Sequence, residues 1–196
     1  GDFERHRGML ESLGVATVSV RSGTDVFAEG HRLIDGLVIP GGESTTISKL
    51  MDRFGLFTAV QEAVRVGMGV LGTCAGAILL AREVHNHEHA PDTPRPLGLL
   101  DISVERNAYG RQLESFEAEI TPTRAGPARS DPKGESPVAG IFIRAPRITR
   151  VAEGIEVLGE FEEAPVWVAR ERVVAATFHP ELVGEKRVHA DFLDRL

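Results

Sequence analysis

Cysteine is almost absent from this chain, with Cys74 the only one among 196 residues. That excludes an internal disulfide and suits a reducing compartment. Long apolar runs are missing too, and none approaches the ~20 residues that a membrane-spanning helix needs. The opening Gly1-Asp2-Phe3-Glu4-Arg5-His6 lacks the basic-then-apolar pattern of an export signal. A cytoplasmic location is therefore expected, with no membrane partner. There is no basic block, and the formal net charge is −7, so nothing favours a nucleic-acid partner. What remains is a globular composition, 42% hydrophobic and 26% charged. The length suits one ordinary domain, residues 1–196, with a sizeable core.

The first half has a βαβ rhythm. Phe3, His6, Met9, Leu10 and Leu13 recur at helical spacing until Gly14 stops them. Val15–Val20 reads as a strand, and Leu37-Val38-Ile39 as a short strand buried on both faces of a parallel sheet. Ser44 or Thr45 is placed to cap a helix carrying Ile47, Leu50 and Met51, which Gly55 ends. A helix from about Leu56 to Val66 and a buried strand at Gly69-Val70-Leu71 follow, then an apolar helix through Leu80. The second half alternates Phe116, Ala118 and Ile120 with Glu117 and Glu119. Further strands are predicted at Gly140–Arg144, Ile155–Phe161, Val166–Arg170 and Val173–Phe178, with a last helix through Val188 and Phe192. Close neighbours suggest hairpins, so the pattern predicts a mixed α/β sheet with helices on both faces. His85–Pro96 and Thr121–Pro137 read as surface loops.

Gly72-Thr73-Cys74-Ala75-Gly76 stands between an apolar strand and an apolar helix, the setting of a nucleophile elbow. A sulfur at a helix N-terminus is favoured as thiolate, the form that attacks carbonyl carbon. Taken alone, the motif describes a buried, inert cysteine equally well. Phe178-His179-Pro180-Glu181 shifts the balance. Positions two apart on a strand share a side, so Glu181 can orient the imidazole of His179, which exchanges protons with Cys74. Pro40-Gly41-Gly42-Glu43-Ser44 follows the other buried strand. Its backbone N–H groups can face an oxyanion together with the N–H of Ala75, or the loop is a tight turn capped by Ser44. His85, His87 and His89 alternate in a way compatible with metal, but a solvated loop is the better reading.

The G-G-E-S loop, the G-T-C-A-G elbow and the H-P-E segment together resemble the triad-type, class I glutamine amidotransferases. Val104-Glu105-Arg106-Asn107-Ala108-Tyr109-Gly110-Arg111-Gln112 and Phe142-Ile143-Arg144-Ala145-Pro146 resemble more narrowly the glutaminase subunit of pyridoxal 5'-phosphate synthase. The likeness extends over nearly the whole chain, including Gly1–His6 and Gly41–Thr46. It implies a three-layer, flavodoxin-like fold, with Cys74 as nucleophile, His179 as acid/base and Glu181 as its partner. It places glutamine on Gly42, Glu43, Ser44, Arg106, Ile143 and Arg144, and an oxyanion hole at Gly42 and Ala75. A guanidinium suits the α-carboxylate of glutamine, and Glu43 its α-ammonium; without the motifs, Arg106 and Arg144 would read as surface salt-bridge formers. The resemblance implies no cofactor and no metal. As partner it implies a (β/α)₈ barrel synthase subunit in a ring-built core, which takes up the ammonia. The family opens with an apolar strand ahead of the Gly1-like glycine, so a sheet without that strand is expected here, from a sequence that starts inside the natural N-terminus.

Two other readings keep part of this chemistry. One is a glutaminase serving a different synthase, against which the V-E-R-N and F-I-R-A-P segments speak. The other is a stand-alone cysteine hydrolase acting on γ-glutamyl or peptide bonds. A non-catalytic module is disfavoured by the joint presence of Cys74, His179 and Glu181.

Overall fold

The computed structural model describes residues 2–86, 92–106, 115–123 and 136–196. Helix α1 (Phe3–Ser12) leads to a small ribbon, β1 (Phe27–Ala28) with β2 (His31–Arg32). Next come β3 (Gly36–Ile39), α2 (Ser44–Arg53), α3 (Leu56–Arg65), β4 (Gly69–Thr73) and α4 (Ala75–Leu80). Strands β3 and β4 are parallel, as a βαβ connection through α2 and α3 requires.

The second half supplies β5 (Ala81–Asn86), β6 (Leu100–Arg106), β7 (Phe116–Pro122), β8 (Val138–Phe142) and β9 (Arg147–Val151). It closes with β10 (Glu156–Phe161), β11 (Ala164–Arg170), β12 (Val173–Ala176) and α5 (Arg187–Asp194). The main sheet runs β3-β4-β12-β11-β10-β7-β8, parallel among its first three strands and antiparallel beyond them. A smaller sheet, β5-β6-β9, lies beside it. The fold is thus mixed α/β, as the residue pattern predicts.

Alternation along the central strands divides the core. Val70, Val173 and Ala175 pack with Phe57, Val60 and Leu79 from the helices on one face. Leu71, Val174 and Ala176 pack with Val188 and Phe192 of α5 on the other. The antiparallel end curls back on itself. Ile141 of β8 forms a two-way bridge with His179, donating at 3.4 Å and accepting at 2.8 Å. Phe116, Phe142, Phe161 and Phe178 fill the curl, with ring centroids 5.0 to 5.7 Å apart. Each such aromatic contact adds about 0.5–1.5 kcal/mol beyond its buried area, making this a firm floor for the residues above it.

Several expectations change. Val15–Val20 has no regular secondary structure and pairs with no strand among the described residues, and Val18 is exposed; β propensity without a partner makes no ladder. Leu37 and Val38 are half-buried, because β3 is the edge of the main sheet. The strand predicted at Gly140–Arg144 ends at Phe142, which leaves Ile143 and Arg144 outside it. The supposed loop His85–Pro96 begins in β5, and Thr121–Pro137 begins in β7; His87, His89 and most of the second stretch lie outside the described residues. No group of three or more metal-ligating side chains occurs among the described residues, and none of their helices is long and apolar enough to cross a membrane.

Candidate active site

Strand β4 delivers Cys74 to the sheet's carboxyl edge, where parallel strands usually present their ligands. Cys74 takes φ 49° and ψ −104°, a conformation that side chains rarely adopt and that stores about 1–3 kcal/mol. Its N–H donates to the carbonyl of Ala176 at 2.8 Å, so the β4–β12 pairing holds the strained turn in place. The flanking glycine matters for contact: a Cβ on Gly76 would strike the carbonyl oxygen of Ile39. The sulfur sits at the cap of α4 and lies 3.8 Å from the Ile143 carbonyl oxygen. That carbonyl is presented by the end of β8, which the bridge to His179 fixes.

His179 is hydrogen-bonded to Glu181 and interacts with Cys74, which favours its protonated form. Nδ1 of His179 lies 2.7 Å from Glu181 Oε1. Sequence spacing anticipates this pairing, though through a strand. In the structure β12 stops at Ala176, and Glu181 rides a tight turn, Pro180–Leu182, with Pro180 pre-set for its first position. Burial opposes a charged imidazole, yet the interactions with Cys74 and with the Glu181 carboxylate prevail and raise His179 to about 10. Burial likewise opposes ionised Glu181, and the interactions with His179 and His6 prevail, holding it at about 2. Gly41 backs the imidazole so closely that any Cβ there would collide with the ring.

Gly41 connects the catalytic corner to the other candidate residues. Gly42 follows with φ 146°, and Glu43, rather than Ser44 or Thr45, caps α2. A carboxylate outdoes a hydroxyl there because both its oxygens work. Oε1 accepts from Thr45 N–H at 3.0 Å, and Oε2 accepts from Thr46 N–H at 2.6 Å and from its hydroxyl at 2.8 Å. These bonds outweigh a burial penalty and lower Glu43 to about 2. Ser44 is the buried first residue of the helix. Arg106, at the end of β6, donates to Glu43 at 3.3 Å, to Asn86 Oδ1 at 3.0 Å and to the Asp92 carbonyl at 2.8 Å. With its side chain 12% exposed, Arg106 is no surface salt bridge. Arg144 is exposed, at φ 44°. Asn107–Gln112 lie outside the described residues.

Three residues next to this site carry no role in the sequence reading: His6, Thr73 and His189. His6 Nε2 lies 3.2 Å from Thr73 Oγ1 and 3.5 Å from Glu181 Oε1, and its Nδ1 lies 2.9 Å from His189 Nε2. Helical spacing puts His6 on the inner face of α1, but nothing in the sequence names its partners.

Proteins named pyridoxal 5'-phosphate synthase subunit PdxT are similar throughout: that of Thermus thermophilus is 45% identical over 99% of this chain and 92% of its own. That of Pelotomaculum thermopropionicum is 46% identical over 100% of this chain and 90% of its own. A crystal structure of a glutamine amidotransferase superposes with a TM-score of 0.83 at 40% identity, covering 100% of this chain and 94% of that one. The structure of PurLQS from Thermotoga maritima, at 15% identity, TM-score 0.67 and coverage of 97% and 91%, shares the fold alone. The model of the SNO glutamine amidotransferase family matches residues 1–196, and the chain belongs to that family.

Proposed function

We propose that this chain hydrolyses L-glutamine to L-glutamate and ammonia, and hands the ammonia to a synthase subunit that makes pyridoxal 5'-phosphate. The observation that carries this reading is the meeting of Cys74, on its strained turn, with the His179–Glu181 pair, in a chain whose relatives bear the name of that synthase subunit. Residues 1–196 act as one glutaminase domain in the cytoplasm.

In this mechanism the Cys74 thiolate attacks the side-chain amide carbon of glutamine. The negative charge then develops on the amide oxygen, where N–H groups of Gly42 and Ala75 receive it. Ala75 opens α4, so its N–H has no partner within the helix. His179 gives its proton to the leaving nitrogen, and ammonia departs, leaving a γ-glutamyl thioester on Cys74. Water then gives a proton to His179 and attacks the thioester carbonyl; sulfur leaves and glutamate is freed. Glu181 holds the imidazole in one orientation throughout.

Gly42, Glu43, Ser44, Arg106, Ile143 and Arg144 bind the substrate. Arg106 has five donors, and its contacts with described residues leave some for a carboxylate. Glu43 is committed to its helix and to Arg106, which supports a role in aiming the guanidinium as well as in meeting the ammonium of glutamine. Ammonia in neutral water becomes ammonium, a poor nucleophile, so direct transfer into a (β/α)₈ barrel partner, assembled in a ring-built core, fits the chemistry.

The test is glutamate release from L-glutamine with and without the synthase subunit. Strong release only with the partner supports the whole reading. Release indifferent to the partner removes the pathway, and none in either case removes the glutaminase.

A further inference from the structure

A histidine on the inner face of a helix ordinarily needs only a hydrogen bond to be tolerated in the core. His6 has more than that. It is 3% exposed on α1 and touches polar groups from three other elements: Thr73 at the end of β4, Glu181 on its turn, and His189 in α5. His189 is 0% exposed, and its Nδ1 has no partner among the described residues. An orphaned buried N–H costs about 1–3 kcal/mol, whereas an orphaned lone pair is better tolerated. His189 therefore keeps its proton on Nε2 and donates it to His6 Nδ1. That choice fixes the next one, since His6, accepting at Nδ1, carries its proton on Nε2. The Nε2–H points at Thr73 Oγ1 and at Glu181 Oε1, the oxygen that also receives His179. Burial pushes His189 down to about 3, in keeping with a neutral donor.

The other carboxylate oxygen of Glu181, Oε2, is buried without a partner among the described residues. Glu181 Oε1 is thus met by two imidazoles, by His179 at 2.7 Å and by His6 at 3.5 Å. The two supports differ in one respect that matters for the proposed reaction. His179 gives and regains a proton in every cycle, and its grip on Glu181 weakens whenever it is neutral. His6 takes no part in that exchange. We infer that His6, locked in its tautomer by His189, is a positioning residue that keeps the Glu181 carboxylate aimed at His179 through the reaction. The inference rests on the glutaminase reading for its effect on turnover, but its effect on the reactivity of Cys74 does not.

The experiment compares wild type, His6→Leu and His6→Gln, the glutamine retaining an N–H donor near the position of Nε2. Two quantities are read: the rate at which iodoacetamide alkylates Cys74 in the free chain, and kcat and KM for glutamine with the synthase subunit present. Because Cys74 is the single cysteine, alkylation reports that site alone. Hydrogen-bonded supports of metal-bound histidines are worth about 10- to 100-fold, and His6→Leu should lower alkylation and kcat on that scale with KM nearly unchanged. His6→Gln should recover most of both, even if its melting temperature falls as far as that of His6→Leu. Leucine at full kcat and full alkylation rate would overturn the inference, and so would a folded glutamine variant as slow as leucine. If His6→Leu does not fold, His189→Phe takes its place, with a smaller fall in kcat expected and an unchanged kcat contradicting the tautomer lock. A wild type inactive toward glutamine even with its partner would remove the functional reading, while alkylation would still decide the positioning.

Discussion

The two sides of the site are built differently. Cys74, Thr73, Glu181 and His6 are buried and come from strand ends, a tight turn and a helix face, each locked by backbone pairing or by a side-chain bond. Gly42, Glu43 and Arg144 are exposed, and Arg106 reaches Glu43 from the smaller sheet. In the proposed mechanism the buried side holds the reacting groups, whose ionisation must be set before substrate arrives, and a low-dielectric surrounding strengthens each of their contacts. In the same proposal the exposed side offers donors and charges to a substrate that has to enter and leave. One consequence is that substitutions on the first side should act on kcat, and those on the second on KM.

The sharpest way to break that division is Cys74→Ala. Turnover should fall by more than about 10⁴-fold, with melting temperature and circular dichroism unchanged. Glu181→Gln is expected next, lowering kcat by about 10²- to 10⁴-fold in steady-state assays while KM stays near its wild-type value. Arg106→Met belongs to the other side. Losing a charge-assisted contact to a carboxylate should raise KM about tenfold to a hundredfold and change kcat far less, as initial rates across glutamine concentrations will measure. A fall in kcat alone would erase the distinction.

The smallest effect concerns pH and belongs to the buried side. His189 is depressed from 6.5 to about 3 in the fold, so below its ordinary value the unfolded chain binds a proton that the folded chain refuses. Its contribution to stability is complete above pH 6.5 and is lost as pH falls toward about 3. Glu181, also depressed, contributes above 4.5 and loses that contribution as pH falls toward about 2, while His179, raised to about 10, contributes fully only below 6.5 and opposes the His189 slope near that value, so the loss from His189 dominates between about 5.5 and 4.5. There the unfolding free energy of wild type, read from urea titrations, should fall with acid by at most about 1.4 kcal/mol per pH unit, and His189→Phe should flatten that slope.

Legibility in the sequence follows the same divide. The elbow is readable because a short apolar strand, a glycine-flanked cysteine and an apolar helix are all local signals. The His179–Glu181 pair is readable from spacing, although the segment is a turn and not the strand that the spacing suggested. Arg106, Ile143 and Arg144 are legible only through resemblance, since nothing in their neighbourhood marks them as binding residues. The smaller sheet escapes a pattern reading because β5 carries Arg82, Glu83, His85 and Asn86 on a half-exposed surface, which looks like a loop. Val15–Val20 has the composition of a strand but no neighbour to pair with among the described residues. His6 is the deepest case: its partners Thr73 and His189 lie 67 and 183 residues away, and no local pattern contains that information.

The central claim, that Cys74 attacks the amide carbon of glutamine, is tested most directly by covalent trapping. The chain with its synthase partner is treated with a glutamine analogue bearing an electrophilic carbon in place of the side-chain amide, and the adduct is located by peptide mass spectrometry. The account expects one adduct per chain, on Cys74, formed more slowly when L-glutamine competes and absent in Cys74→Ala. An adduct elsewhere, or labelling of Cys74 that glutamine does not slow, would contradict it.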